Sequence, residues 1–181
     1  MFFKEYHSTE DPEWSLLWDL YCKSFPAHEK RSLDDHRKAM DDPAFTCTGI
    51  WDEDGFVGLL FYWTYTDGHY IEFFAISETR RGMQCGSRCL QAFLEKHPVV
   101  ILEIEMPVTN IARRRKRFYE RLGFVASHQE HLHPAYTKDA APYHLMILRY
   151  PKACSDAQYG TFYNFFSTRV MRYSEKFDST L

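Results

Sequence analysis

Two side chains in this sequence could move protons. Residues 118–124, FYERLGF, place Tyr119 near the end of a predicted helix, with Gly123 just past that end as a helix stop requires. Glu72 lies inside an apolar, strand-like run at 70–77, where carboxylates are rare. Departures of this kind collect at functional sites. A phenol can donate a proton and a carboxylate can accept one, so both residue types are capable of acid–base chemistry.

A third feature could bind an anion. Residues 81–87, RGMQCGS, directly follow the strand-like run and open a predicted helix at 87–96. A helix start offers free N–H groups and the positive end of the helix dipole, and glycines let an anion approach the backbone. The same pattern fits a plain strand–turn–helix connection. The candidate binding residues are Arg81, Gly82, Met83, Gln84, Cys85, Gly86 and Ser87.

The periodicity of the chain predicts a mixed α/β domain. Asp54-Gly55 and Asp67-Gly68 are hairpin signals between strand-like runs. Predicted strands cover residues 1–6, 45–51, 56–66, 70–77, 99–105, 124–127 and 143–149. Predicted helices follow Asp11-Pro12 as far as Phe25-Pro26, and cover 32–40, 87–96 and 110–122. The stretch between the last two strands is polar and rich in histidine, and it reads as a loop.

This order of elements, with RGMQCGS and FYERLGF in their places, resembles the GNAT superfamily of N-acetyltransferases across residues 1–150. The resemblance implies a mixed, largely antiparallel sheet flanked by helices, with a β-α-β cofactor-binding unit and central strands that splay apart. Residues 151–181 form an extension. Its aromatic residues recur at helical spacing and predict a helix packed on the same domain: Tyr159, Phe162, Tyr163 and Phe166.

The resemblance further implies acetyl-CoA as co-substrate and no metal. The family pattern Gln/Arg-x-x-Gly-x-Gly/Ala matches Arg81 and Gly86, whereas Gln84 replaces its central glycine. Asn110 would either bond the pantetheine arm or cap its helix. The main chain expected to pair with pantetheine is that of Phe74, Ala75 and Ile76.

The implied activity is transfer of an acetyl group to a primary amine by direct attack. Tyr119 would protonate the departing thiolate, or else pack its helix on the sheet. Glu72 would remove the amine proton through water; Glu103 and Glu105 are rivals, and any of the three could instead be solvent-exposed or in a structural ion pair. The alternative function is a non-catalytic acyl-CoA-binding or sensing module of the same fold.

Composition narrows the number of domains, the kinds of partner and the cellular compartment that we expect for this protein. With 181 residues, 45% hydrophobic and 17% aromatic, the chain suits one globular domain. A net charge of −3 gives no reason to expect a nucleic acid or membrane partner. An odd number of cysteines and the absence of a visible signal peptide predict reduced thiols in a cytoplasmic protein. We expect a monomer or a homodimer.

Two local clusters leave alternatives open. The basic run 113–117 could attract CoA phosphates or form a solvated face. His128, His131 and His133 lack an evident further metal ligand, so they predict a loop bordering the acceptor pocket rather than a metal site. Glu29, between the first two helices, would suit a cationic acceptor.

Overall fold

The computed structural model describes residues 1–178 and centres on an eight-stranded sheet in the order β1-β2-β3-β4-β5-β8-β6, with β7 also paired to β8. Every neighbouring pair is antiparallel except β4 and β5, which run parallel. The predicted fold class is therefore confirmed. The strands are β1 (Phe2–Tyr6), β2 (Phe45–Asp52), β3 (Gly55–Tyr65), β4 (Gly68–Ile76), β5 (Val100–Glu105), β6 (Val125–Ala126), β7 (His131–His133) and β8 (Tyr143–Tyr150).

Helices cover both faces of this sheet. They are α1 (Trp14–Ser24), α2 (Leu33–Met40), α3 (Cys85–Lys96), α4 (Asn110–Arg121), α5 (Asp156–Phe165) and α6 (Glu175–Asp178). One core cluster joins α1, α2 and the C-terminal segment to the sheet, through residues such as Tyr21, Phe73 and Phe166. A second joins α3 and α4 to the opposite face, through Leu90 and Tyr119. We call these the α1 face and the α3 face.

The C-terminal segment is helical but not one regular helix. After α5 it continues as a π-helical turn (Phe166–Val170) and a 3₁₀ turn (Met171–Tyr173). A π turn rotates less per residue than an α turn. Phe162, Phe166 and Val170, at i, i+4 and i+8, therefore stay on one fully buried face. The predicted extension ends with residues 179–181, which lie outside the described residues.

The parallel pair β4 and β5 separates after a short paired stretch. Their register runs only from His69 opposite Val100 to Ile71 opposite Leu102. Beyond Ile71 and Leu102 the two strands diverge, and a cavity of about 530 Å³ opens between them, lined by residues of both. The splay implied by the resemblance is present, and the candidate site occupies it.

A β-bulge in β4 directs Glu72 to the α1 face. Phe61 of β3 pairs with Phe73 and Tyr62 pairs with Ile71, so Glu72 is the extra residue. Strict alternation would place Glu72 and Phe73 on opposite faces. Instead both side chains contact Arg31 and Tyr136. The expected alternation fails at this position because the bulge adds one residue to the strand.

The histidine-rich stretch contains a strand, β7, where the sequence predicts a loop. Its pattern is inverted relative to an ordinary half-buried strand, because His131 and His133 are buried while Leu132 is 44% exposed. Polar-in, apolar-out alternation is opposite to the pattern used to recognise strands. This inversion hides β7 from sequence reasoning.

Candidate functional site

The start of α3 leaves a run of backbone N–H groups without partners. Within residues 1–178, no acceptor serves the N–H groups from Gly82 to Ser87, and the helix has no side-chain cap. Gln84, the N-cap, adopts a left-handed conformation with φ 57°, which glycine would take without steric cost. The departure from the family pattern therefore costs local strain and keeps the loop shape. An anion here would meet several donors and the positive end of α3.

Gly86 lies where α3 packs against α4 and β4. A Cβ at this position would lie 3.4 Å from the Phe118 ring and 3.6 Å from Ile76 Cγ1, which is ordinary van der Waals contact. The role predicted for Gly86, giving an anion access to the backbone, stays a prediction. Gly82, with φ 78° and nothing within 4 Å of a Cβ, is the open position.

The diverging part of β4 supplies an open strand edge. Phe74, Ala75 and Ile76 line the cavity, and within the part of the chain that the structure describes they pair only with β3. The Ile76 carbonyl accepts a hydrogen bond from Arg81 Nε at 3.2 Å, which ties the helix-start segment to the strand end. An extended amide-bearing chain could pair with this edge as an added strand would.

Thr109, and not Asn110, caps α4. The Thr109 hydroxyl accepts a hydrogen bond from the Ala112 N–H at 3.0 Å, and Asn110 is the first helical residue. Both residue types are good caps, so the sequence could not choose between them. The capping role considered for Asn110 is therefore wrong. Its side chain is exposed, and the pantetheine contact stays a prediction.

Tyr119 is fixed by the C-terminal end of α4. Gly123, with φ 91°, donates to the Glu120 carbonyl, and Phe124 donates to the Tyr119 carbonyl, as in a Schellman motif. The Phe124 ring packs against the Tyr119 ring, 5.6 Å between centroids. Tyr119 lines the cavity from the α3 face, and burial raises its pKa to about 12 despite the nearby Arg115. The phenol therefore stays protonated near neutral pH and can act as a donor.

Glu72 lies on the α1 face of the cavity in a closed set of donors. Its side chain is 1% exposed and that of Arg31 is 0% exposed, with Nη1 and Oε2 2.6 Å apart. The remaining donors are Trp63 Nε1, at 2.8 Å, and the Tyr136 hydroxyl. Arg31 is also held by the Val170 carbonyl at 3.2 Å and the Tyr173 carbonyl at 3.0 Å. Sequence reasoning missed Arg31; the lone acid in an apolar strand was the signal that a basic partner exists.

Glu103 forms a second buried acidic centre on the α1 face. It accepts a hydrogen bond from the Tyr70 hydroxyl at 2.6 Å, and its Oε1 lies against His131 Nε2. His133 Nε2 lies 3.7 Å from its other side, at Oε2. Burial opposes the charge on Glu103, yet His133 and His131, in their protonated forms, together with the Tyr70 hydroxyl, hold its pKa below the ordinary value. Both Glu103 and His133 line the cavity.

The cavity mouth carries charges of both signs. Glu105 is exposed and pairs with Arg115 of the basic run at 3.1 Å, so it differs from the buried Glu103 on the same strand. Glu29 and Phe25, from the segment between α1 and α2, line the α1 side, together with Tyr143. Residues 1–178 contain no group of three or more metal-type ligands placed to hold an ion, and no helix among them is long and apolar enough to cross a membrane.

A family model described as the acetyltransferase (GNAT) family matches residues 14–124. A comparison with curated proteins gives no match. Among solved structures, a protein from Bacteroides thetaiotaomicron assigned to the same family is 25% identical, with a TM-score of 0.88 over 94% of this chain and 98% of that one.

Two further structures share the fold at lower identity. A spermidine N-acetyltransferase from Vibrio cholerae is 12% identical, with a TM-score of 0.62 over 82% of this chain and 94% of that one. An aminoglycoside 6′-N-acetyltransferase complexed with coenzyme A is 17% identical, with a TM-score of 0.57 over 82% of this chain and 96% of that one.

Proposed function

The chain belongs to the GNAT family of acetyltransferases, and on that premise we propose that it moves an acetyl group from acetyl-CoA to a primary amine by direct attack. The observation that carries this proposal is the cavity between β4 and β5. Tyr119 reaches it from the α3 face, while Glu72, Glu103 and His133 line it on the α1 side. A thioester in the splay would lie between a proton donor and a set of candidate proton acceptors.

The residues present fit coenzyme A. The unpaired N–H groups from Gly82 to Ser87 suit its pyrophosphate, and the open edge at Phe74–Ile76 suits the amides of its pantetheine arm. Bound acetyl-CoA supplies an acyl thioester, whose carbonyl carbon a neutral amine can attack. Arg115 lies at the mouth, where it would attract phosphate charge.

Tyr119 donates a proton to the sulfur as the thiolate leaves. Thiols have a pKa near 8.5, so the departing sulfur is basic enough to take a proton but does not strictly need one. Loss of the donor should therefore slow the reaction without abolishing it. Glu72 remains a candidate for the base. Its carboxylate already accepts hydrogen bonds from Arg31, Trp63 and Tyr136, which occupy much of its accepting capacity.

The acceptor half of the cavity is aromatic and acidic. Phe25, Tyr136 and Tyr143 form its apolar walls, and Glu29 lies at its edge. Such a wall would suit an amine whose charge lies beside a short apolar body. The spermidine and aminoglycoside enzymes of similar fold act on cationic amines, which makes those two acceptor classes the first to test.

The test is release of free thiol from acetyl-CoA with an amine panel. An acetyltransferase should release thiol in proportion to one or more amines and yield the N-acetylated product by mass spectrometry. Binding of CoA, measured by calorimetry, with no thiol release above the amine-free rate for any amine would contradict the proposal.

A further inference from the structure

The cluster around Glu103 links the cavity to the C-terminal helix. His133 lines the cavity, its ring stacked on Tyr143 at 5.1 Å. On the far side of Glu103, His131 Nδ1 lies 2.9 Å from the Tyr159 hydroxyl. Tyr159 belongs to α5, is partly exposed, and its hydroxyl is 3.3 Å from the Glu130 carbonyl. Polar groups therefore connect the cavity to the surface through a region beyond residues 14–124.

The tautomer of His133 follows from its neighbours. Its Nδ1 lies against the carbonyl oxygen of Pro134, which can only accept, so Nδ1 carries the proton. In the neutral ring Nε2 then bears a lone pair, and that lone pair faces Glu103 Oε2 at 3.7 Å. Two acceptors facing each other gain an attraction only when a proton arrives between them. The pair is thus arranged to receive one.

We propose that His133, backed by Glu103, takes the proton from the acceptor amine, and that His131 and Tyr159 pass it to the surface. This inference rests on the proposed acetyl transfer and assigns the base within it. His133 would be the catalytic residue. Glu103, His131 and Tyr159 act through it.

The proton balance is complete with groups already named. An acceptor that enters as an ammonium loses one proton to His133 Nε2, and its nitrogen then forms the N–C bond as the C–S bond breaks. The sulfur keeps the electron pair of that bond and takes a proton from Tyr119. The second proton lost by the nitrogen restores Tyr119, and the first leaves through the histidines to water.

Among the titratable groups around the His133–Glu103 pair, Tyr136 and Tyr143 pack against the His133 ring and Tyr70 donates to Glu103. Burial raises the pKa of Tyr70, Tyr136 and Tyr143, so these phenols stay neutral. Glu72 already accepts a hydrogen bond from Arg31, in a contact in which both side chains are buried. Phe166, from the C-terminal segment, closes the apolar side of the His133 ring at 4.9 Å.

The first test compares pH profiles of kcat/KM for an active amine, by thiol release. His133→Asn keeps a side-chain N–H in the place of Nδ1–H and removes Nε2. We expect a loss of about 10²-fold at pH 7, shrinking as pH approaches the amine pKa, near 10.4 for a lysine-like amine. The matched control is His144→Asn, an exposed histidine on β8, which should keep the wild-type profile.

Four companion variants separate the roles of the residues around His133, the last of them as a control. Glu103→Gln should lose activity at pH 7 and recover part of it as pH rises, as expected for His133→Asn. Glu72→Gln should show no such recovery at high pH. Tyr159→Phe should lower turnover less than His133→Asn, with added imidazole buffer restoring part of it. Tyr163→Phe, on the same helix, should change neither rate nor buffer dependence.

Distinct outcomes overturn distinct claims. A wild-type pH profile of kcat/KM in His133→Asn would overturn this assignment. Recovery of activity at high pH in Glu72→Gln, but not in His133→Asn, would also overturn it, and in both cases the proposed acetyl transfer would stand. An enzyme that transfers no acetyl group to any amine overturns both. A measurement independent of activity also decides: ¹⁵N NMR of the His133 ring in the wild-type protein should show the Nδ1–H tautomer, and the Nε2–H tautomer would overturn the proposal.

Discussion

The two halves of the cavity are built in opposite ways. The α3 side offers backbone groups that the protein leaves unpaired, from Gly82 to Ser87 and along the edge of β4. The α1 side offers side chains whose hydrogen bonds are already made, around the Arg31–Glu72 pair. The α3 side, whose backbone groups are free to bind a ligand, tolerates backbone strain, as at Gln84. The α1 side keeps its shape through its own hydrogen bonds, so substitutions there should lower the free energy of unfolding.

The largest effect should come from opening the closed half. Arg31→Met leaves the Glu72 carboxylate buried without its cation, a loss of about 3–5 kcal/mol in the free energy of unfolding by urea titration. The control Arg37→Met removes a half-exposed pair with Asp34 and should cost less than about 1 kcal/mol. Equal losses of unfolding free energy in the two variants would mean that the buried ion pair contributes no more to stability than the exposed one. Adding Glu72→Gln to Arg31→Met should recover part of the loss.

The next effect tests the group that faces the cavity from the open half. Tyr119→Phe keeps the ring that packs on Phe124 and removes the hydroxyl, so turnover should fall about 10²-fold with CoA affinity nearly unchanged. Thiol release and calorimetry measure the two quantities. The control Tyr150→Phe also alters a ring beside Phe124, outside the residues that line the cavity. Wild-type turnover in Tyr119→Phe would mean that Tyr119 only packs its helix on the sheet and does not donate a proton.

A smaller effect should follow from the helix end that fixes Tyr119. Gly123→Ala places a Cβ at a positive φ and 3.0 Å from the Tyr150 ring, which should cost about 1–3 kcal/mol by thermal or urea unfolding. Gly160→Ala, in α5 with nothing within 4 Å of its Cβ, should instead stabilise by about 0.5–1 kcal/mol. The same sign for both variants would contradict the role given to the Gly123 backbone.

The smallest effect belongs to the strained start of α3. Gln84→Gly relieves a left-handed backbone but loosens the unfolded chain, so the net gain should stay within about 1 kcal/mol. CoA affinity should be equal or higher. Glu13→Gly changes the same backbone geometry at the start of α1, far from the cavity, and should leave CoA affinity alone. A large loss of affinity in Gln84→Gly would mean that its side chain contacts the ligand.

Features set by local chemistry could be predicted from the sequence. The turns at Gly55 and Gly68 and the helix end at Gly123 all have positive φ, which is why glycine marks them. The position of Tyr119 near a helix end could be predicted because Gly123 marks that end. The family resemblance located the splay and the α3 start.

Features set by distant partners could not be predicted. Arg31 looks like a surface residue of a linker until Glu72, Val170 and Tyr173 surround it. The sequence pattern did not predict β7, because its histidines point inward and its leucine points outward. The bulge at Glu72 depends on the register with β3, which no pattern within β4 records.

The carbonyl groups that hold Arg31 have a consequence for how the protein comes into being. Arg31 is made on the ribosome well before Val170 and Tyr173, whose carbonyl groups accept its hydrogen bonds. Until those two residues leave the ribosome, Arg31 has neither of these acceptors and the wall beside Glu72 stays unfinished. We therefore expect this side of the cavity to close only after every strand of the sheet, of which β8 at Tyr143–Tyr150 is the last, has been made.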